Sequence, residues 1–131
     1  MTKINWRDSL GWTEEQTEDL RHVGYAYIRQ GKYEIALPIY EALNVLDPES
    51  AYDAQTLGAL YLQLGNPNKA LKYFDKALKI DADHAPTLLN LTKAFFSLGK
   101  KDEGLKLANI LKNEPDAAIS SVAKALILAY S

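Results

Sequence analysis

The sequence predicts an all-α fold: an α-solenoid of three helix pairs, closed at its C-terminal end by a capping helix. Three observations predict it. Slid by 34 residues the chain meets itself, so that Gly31, Gly65 and Gly99 fall on one position, Tyr27, Tyr61 and Phe95 on a second, and Ala36, Ala70 and Gly104 on a third. Each period holds two amphipathic segments of about 13 residues divided by the glycine. The 131 residues contain no cysteine, which removes a disulfide scaffold as an alternative and leaves packing to hold one domain over 1–131 together.

The N-terminal segment, 1–16, carries Trp6 and Trp12. These tryptophans suit three tasks: covering the open face of the first unit, joining a dimer, or filling a neighbour's groove. Thr13 reads as an N-cap, with Gln16 three residues on completing a capping box, so the first long helix begins near Glu14.

The first unit spans 17–50. Val23, Gly24, Tyr27, Ala36, Tyr40 and Leu43 occupy its repeat columns, and Gly31 divides its two helices through a left-handed turn. Small residues at 24 and 36 let the two helices approach closely, and the aromatic at 27 fills the space beside them. Pro38 lies inside the second helix, where it removes a backbone hydrogen bond and predicts a kink or a late start. Leu46-Asp47-Pro48 ends the unit, because proline disfavours helix in the residue before it.

The second unit, 51–84, repeats the columns as Leu57, Gly58, Tyr61, Ala70, Phe74 and Ala77. Lys69, Lys72, Lys76 and Lys79 recur at helical spacing on its second helix. This stripe reads as a solvated outer face, with an acidic partner as the sharper alternative. The third unit, 85–118, keeps Leu91, Phe95, Gly99 and Leu111 but departs at Thr92, Gly104 and Ala108. Residues 117–130 read as one last helix. The cap, 119–131, follows the third unit, because a solenoid's last repeat must not expose its apolar face.

Fifteen basic and 17 acidic side chains leave a net charge of −2, which argues against nucleic acid as a partner. The charge is uneven: residues 1–65 hold 5 basic and 10 acidic groups, and residues 66–131 hold 10 and 7. No apolar run approaches the ~20 residues of a membrane span. The N-terminus has no apolar core typical of a secretory signal, and the expected location is the cytoplasm. The two histidines, His22 and His84, form no sequence-local metal pair, and no nucleophile elbow, P-loop or Rossmann glycine cluster is present. The sequence therefore predicts no enzyme, no catalytic residue, no metal and no cofactor.

These columns resemble the tetratricopeptide repeat. The residues that carry the likeness are Leu20, Val23-Gly24, Tyr27, Ala36, Tyr40, Leu43 and Pro48, then Ala54, Leu57-Gly58, Tyr61, Ala70, Phe74 and Ala77. The resemblance implies a right-handed arc whose concave side is lined by the first helix of each unit. It places Arg21, Tyr25 and Ile28 of unit one, Tyr52, Gln55, Ala59 and Leu62 of unit two, and Leu89, Asn90, Lys93 and Phe96 of unit three in a partner-binding groove. None of these belongs to a packing column. Tyr25, Tyr52, Leu62, Leu89 and Phe96 are the expected apolar pockets, and Arg21, Gln55, Asn90 and Lys93 the expected bonds to a peptide backbone. Members that hold the C-terminal carboxylate of heat-shock proteins use a clamp of lysines, asparagines and an arginine. Arg21, Tyr25, Thr56, Pro86 and Asn90 stand at those places, and only Arg21 keeps the character.

Gly31-Lys32-Tyr33, Ala36, Ala42-Leu43 and Leu46-Asp47 further resemble the first repeat of the three-repeat chaperones of bacterial type III secretion. The N-terminal region is shorter than the dimerising arm of many members. That resemblance implies a chaperone that holds an extended segment of a secretion substrate, a translocator or needle-type subunit, in the bacterial cytoplasm. It leaves a homodimer or a co-chaperone open as a further partner. The alternative is a general tetratricopeptide adaptor that scaffolds a cytosolic complex.

Overall fold

The computed structural model describes residues 4–131; the first three residues of the N-terminal segment lie outside the described residues. Eight helices and no strand are present among the described residues. A short α1 (Trp6–Ser9) precedes α2 (Glu14–Arg29), α3 (Tyr33–Leu46), α4 (Ala51–Gln63), α5 (Pro67–Ile80), α6 (Ala85–Ser97), α7 (Lys101–Leu111) and α8 (Ala117–Tyr130). The second helices of the three pairs start at 33, 67 and 101, and the first helices end at 29, 63 and 97, so the 34-residue period holds in three dimensions.

Local chemistry sets these boundaries. Thr13 and Gln16 form the capping box that opens α2. Ser50 accepts the Asp53 amide at the start of α4, and Asn66 accepts the Lys69 amide ahead of Pro67 in α5. Gly31, Gly65 and Gly99 turn the chain at φ +73°, +85° and +75°. The residue after each returns its amide to the carbonyl of Tyr27, Tyr61 or Phe95 at 2.8–2.9 Å, which satisfies the helix end. Pro38 does not delay α3, which begins at Tyr33 and runs through it.

Each pair packs α2 on α3, α4 on α5 and α6 on α7, and each second helix packs on the next unit. The main core joins Ala36, Tyr40, Leu43, Leu57, Leu60, Tyr61, Ala70, Phe74 and Ala94. The rings that lie over Gly24 and Gly58 come from the partner helix, Tyr40 and Phe74, rather than from Tyr27 and Tyr61. A Cβ on Gly24 would stand 2.7 Å from Tyr40, and one on Gly58 2.5 Å from Phe74.

This contact explains the departures of unit three. Where the first two units pair glycine with an aromatic ring, the third has Thr92 and Ala108, both fully buried. The larger residue of the pair has moved to the first helix, and threonine with alanine fills less space than glycine with an aromatic ring. Gly104 replaces alanine because the Phe96 ring occupies the space of its absent Cβ, 2.7 Å away.

The two ends differ. Helix α8 packs on α7 and α6, and Ile119 and Ala123 join Leu111 in a second buried cluster. At the other end α1 touches α3, yet Val23 stays 47% exposed although its equivalent Leu57 is fully buried. The tryptophan segment therefore does not cover the first unit's outer face at Val23.

Candidate functional site

The first helices of the units, α2, α4 and α6, form the concave side. They are not evenly spaced. The backbones of α4 and α6 approach each other, whereas α2 and α4 stand apart. Between α4 and α6 the Asn90 amide donates to Gln55 Oε1 at 2.5 Å, and Gln55 donates to Thr56 at 3.3 Å. Between α2 and α4 two cavities open instead. One, of about 380 Å³, is lined by Glu18, Arg21, His22, Tyr25, Tyr40, Tyr52, Asp53, Gln55 and Thr56. The other, of about 270 Å³, is lined by Tyr25, Ile28, Tyr33, Gln55, Thr56, Ala59, Leu60 and Gln63. They share Tyr25, Gln55 and Thr56 and so form one groove with a polar end and an apolar end.

At the polar end Arg21 and Asp53 form a forked pair, Nε to Oδ1 at 2.8 Å and a second guanidinium nitrogen to Oδ2 at 2.5 Å. Arg21 also meets Asp47 at 3.1 Å and Glu18 one turn before it. Asp53 is 1% exposed. These hydrogen bonds, with the Asp53 charge, hold the guanidinium well above its ordinary pKa despite the opposing effect of burial. The Tyr40 hydroxyl is pushed up to about 12, first by burial and then by the Asp53 charge. Tyr52 lies edge-on to His84, ring centroids 4.7 Å apart. His84 caps the start of α6 as a buried residue, its Nδ1 2.7 Å from the Thr87 hydroxyl.

Of the residues placed in the groove by resemblance, Tyr25, Ile28, Tyr52, Gln55 and Ala59 line these cavities together with Arg21. Arg21 does not offer a free donor fork as expected, because three carboxylates of its own chain engage it. Gln55 and Asn90 bond each other, Asn90 donating to the Gln55 carbonyl oxygen. Phe96 is not an open pocket: it is 8% exposed and stacks on Tyr130 at 4.0 Å, nearly parallel. Leu89 packs against the cluster under α8, and Leu62 packs on the main core. Lys93 is half-buried and lines neither cavity. The capping helix that closes the last repeat thus takes up part of the groove expected in unit three.

Asp53 and Tyr40 were missed as groove residues. A signal existed for both. Asp53 repeats Asp19 at the 34-residue offset, and Tyr40 has a hydroxyl where the equivalent Phe74 has none. The lysine stripe is answered by its own chain: Lys69 and Lys72 stand over Tyr61 and Tyr73, Lys76 donates to Asn44, and Lys79 pairs with Asp75.

Among the described residues no group of three or more acidic or histidine side chains is placed to hold a metal, and no helix is long and apolar enough to cross a membrane.

A family model for the tetratricopeptide repeat matches residues 23–127. No curated protein sequence matches the chain. Among solved structures, PcrH bound to the chaperone-binding region of PopD is 25% identical, with a TM-score of 0.80 over 92% of this chain and 94% of that one. The Yersinia enterocolitica type III secretion chaperone SycD, bound to a peptide of the translocator YopD, is 20% identical, with a TM-score of 0.80 over 90% and 94%. The first repeat domain of Spaghetti, bound to an HSP90 peptide, is 21% identical, with a TM-score of 0.75 over 89% and 94%. PcrH is recorded from Pseudomonas aeruginosa.

Proposed function

The chain belongs to the tetratricopeptide repeat family, and from that premise we propose that it is a translocator chaperone of type III secretion. It holds an extended segment of a secreted translocator in the bacterial cytoplasm, in the groove between α2 and α4. The observation that carries this reading is the likeness to PcrH, complexed with the chaperone-binding region of PopD, over nearly the whole of both chains.

The groove suits such a partner. Its apolar end, with Ile28, Ala59 and Leu60, can take a leucine-sized side chain of a segment that would otherwise aggregate or insert into a membrane early. Tyr25 and Tyr52, 56% and 63% exposed, add rigid amphipathic surface at little entropic cost. A segment that orders on binding gives up conformational entropy, so moderate affinity follows. An HSP90-type tail fits less well. The Arg21 fork is already engaged by carboxylates, and no other basic side chain lines the two cavities to receive a terminal carboxylate apart from His22.

Co-expression with the hydrophobic translocator subunit of the same secretion system tests the reading. The expected result is a soluble complex that survives size-exclusion chromatography and is lost in Ala59→Glu, whose added carboxylate enters the apolar cavity. A translocator that stays insoluble with the parent chain would sink it.

A further inference from the structure

The polar cavity holds more negative charge than its own chain needs. Glu18, Asp47 and Asp53 converge on the single guanidinium of Arg21. Three carboxylates against one cation leave an excess of two negative charges; Glu18 and Asp53 line the cavity with His22, Tyr25, Tyr40 and Tyr52, and Asp47 meets Arg21 from outside that lining.

Tyr40 supplies a second, independent observation. It is 97% buried, at 3% exposure, and lines this cavity. Its hydroxyl has no hydrogen-bond partner among the described residues and is not one of their buried unpaired atoms, so the oxygen meets the solvent of the cavity. Packing does not require that oxygen. At the equivalent place in the second unit Phe74 fills the same role over Gly58 with no hydroxyl at all. The oxygen of Tyr40 is surplus to the fold and faces the cavity.

A cation satisfies all of these features together. An ammonium or guanidinium group donates to carboxylates and to a phenolic oxygen, and aromatic faces attract it. The chain already shows the last preference nearby, where Arg29 stands 6.0 Å over the Tyr25 ring while lining neither cavity. We propose that the polar cavity between α2 and α4 is a subsite for a lysine or arginine side chain of the bound segment. This rests on reading the groove as a peptide site and adds the charge of the residue it selects.

The spacing of that residue follows from the helices. The centres of the two linings lie about five residues apart along α2 and α4, or ~7 Å at 1.5 Å per residue. An extended chain covers that distance in two residues. The segment therefore carries its basic residue two positions from the apolar one that enters beside Ile28 and Ala59.

Three capped tripeptides test this on the full chain by amide NMR at low salt: acetyl-Lys-Ser-Leu-amide and its glutamine and glutamate analogues. The lysine peptide should bind about tenfold more tightly than the glutamine peptide, the glutamate peptide more weakly still, with the Tyr25, Tyr52 and Asp53 amides shifting. Glu18→Gln removes an exposed carboxylate, and Tyr40→Phe keeps the ring on Gly24 while removing the oxygen. Each should reduce the lysine preference to about threefold or less. Equal binding of the lysine and glutamine peptides overturns the subsite, as does a lysine peptide that leaves those amides unmoved. If the lysine preference holds while no translocator co-purifies, the subsite stands and the partner class falls. A translocator complex without lysine preference gives the reverse.

Discussion

Gly58→Ala tests the packing that joins the two helices of a unit. A Cβ at this position would stand 2.5 Å from the Phe74 ring and 3.1 Å from the Ala70 carbonyl oxygen. Phe74 is fully buried, so its ring has no room to swing away. Overpacking of this kind costs ~2.5 kcal/mol, and the better helix propensity of alanine offsets ~1 kcal/mol, which leaves ~1.5 kcal/mol of net destabilisation. Phe74→Ala alone empties a core site and costs ~4 kcal/mol. In the double variant the ring no longer obstructs the methyl, which fills part of the vacated space. Its cost is therefore ~3 kcal/mol rather than the additive ~5.5 kcal/mol, a coupling of ~2.5 kcal/mol. Urea unfolding followed by helix circular dichroism, with a common m value, measures all four corners of the cycle. A coupling within ~0.5 kcal/mol of zero would refute the argument, and with it the account of Thr92 and Ala108 as the same exchange made in unit three.

Other outcomes follow from the same contacts. Asp53→Ala removes two charge-assisted bonds to Arg21 and should cost ~3 kcal/mol; with Arg21→Met the pair should couple by ~2 kcal/mol, and additive thermal unfolding data would show the fork contributes no pairwise energy. Tyr130→Ala uncovers Phe96 and should cost ~2 kcal/mol, with faster amide exchange in the last turn of α8; unchanged exchange there would contradict the stacking role. Tyr40 and Tyr61 are pushed up to about 12, Tyr40 by burial and then the Asp53 charge, Tyr61 by burial and then its bond to Glu41. The unfolded chain releases these protons first, near pH ~10. Stability is intact below that pH and falls by up to ~1.4 kcal/mol per pH unit for each tyrosine until about pH 12. Tyr40→Phe should make this fall shallower, and an unchanged slope would show that Tyr40 titrates as in the unfolded chain.

The repeat was legible because every unit solves the same packing problem with the same residues. Gly31, Gly65 and Gly99 mark the same turn and return the same helix-end bond, so one period is enough to place the helix pairs. Thr13 and Gln16 marked the start of α2 through a contact only three residues long. Pro38 misled on the start of α3, since a single lost backbone bond did not outweigh the burial of Ala36, Tyr40 and Leu43 on that helix.

The groove was legible only in part. Tyr25, Ile28, Tyr52, Gln55 and Ala59 follow from their place in the repeat, and they line the cavities between α2 and α4. Phe96 occupies the matching place in unit three and still turned inward, because Gly104 opens space on α7 and Tyr130 arrives from α8. Gly104 lies in the same unit as Phe96, but Tyr130 comes from beyond it, so the pattern of one unit carries only part of that information.

The sequence by itself determined the helices, their period and the small-to-large contacts between neighbours, because those depend on residues close along the chain or repeated at a constant offset. The tertiary structure alone decided which concave side chains remain free. Arg21 meets Asp53 across 32 residues, and Asn90 meets Gln55 across 35. Such pairings depend on how far each unit tilts on the next, a geometry set by the sum of many contacts, and that tilt left the open groove between α2 and α4.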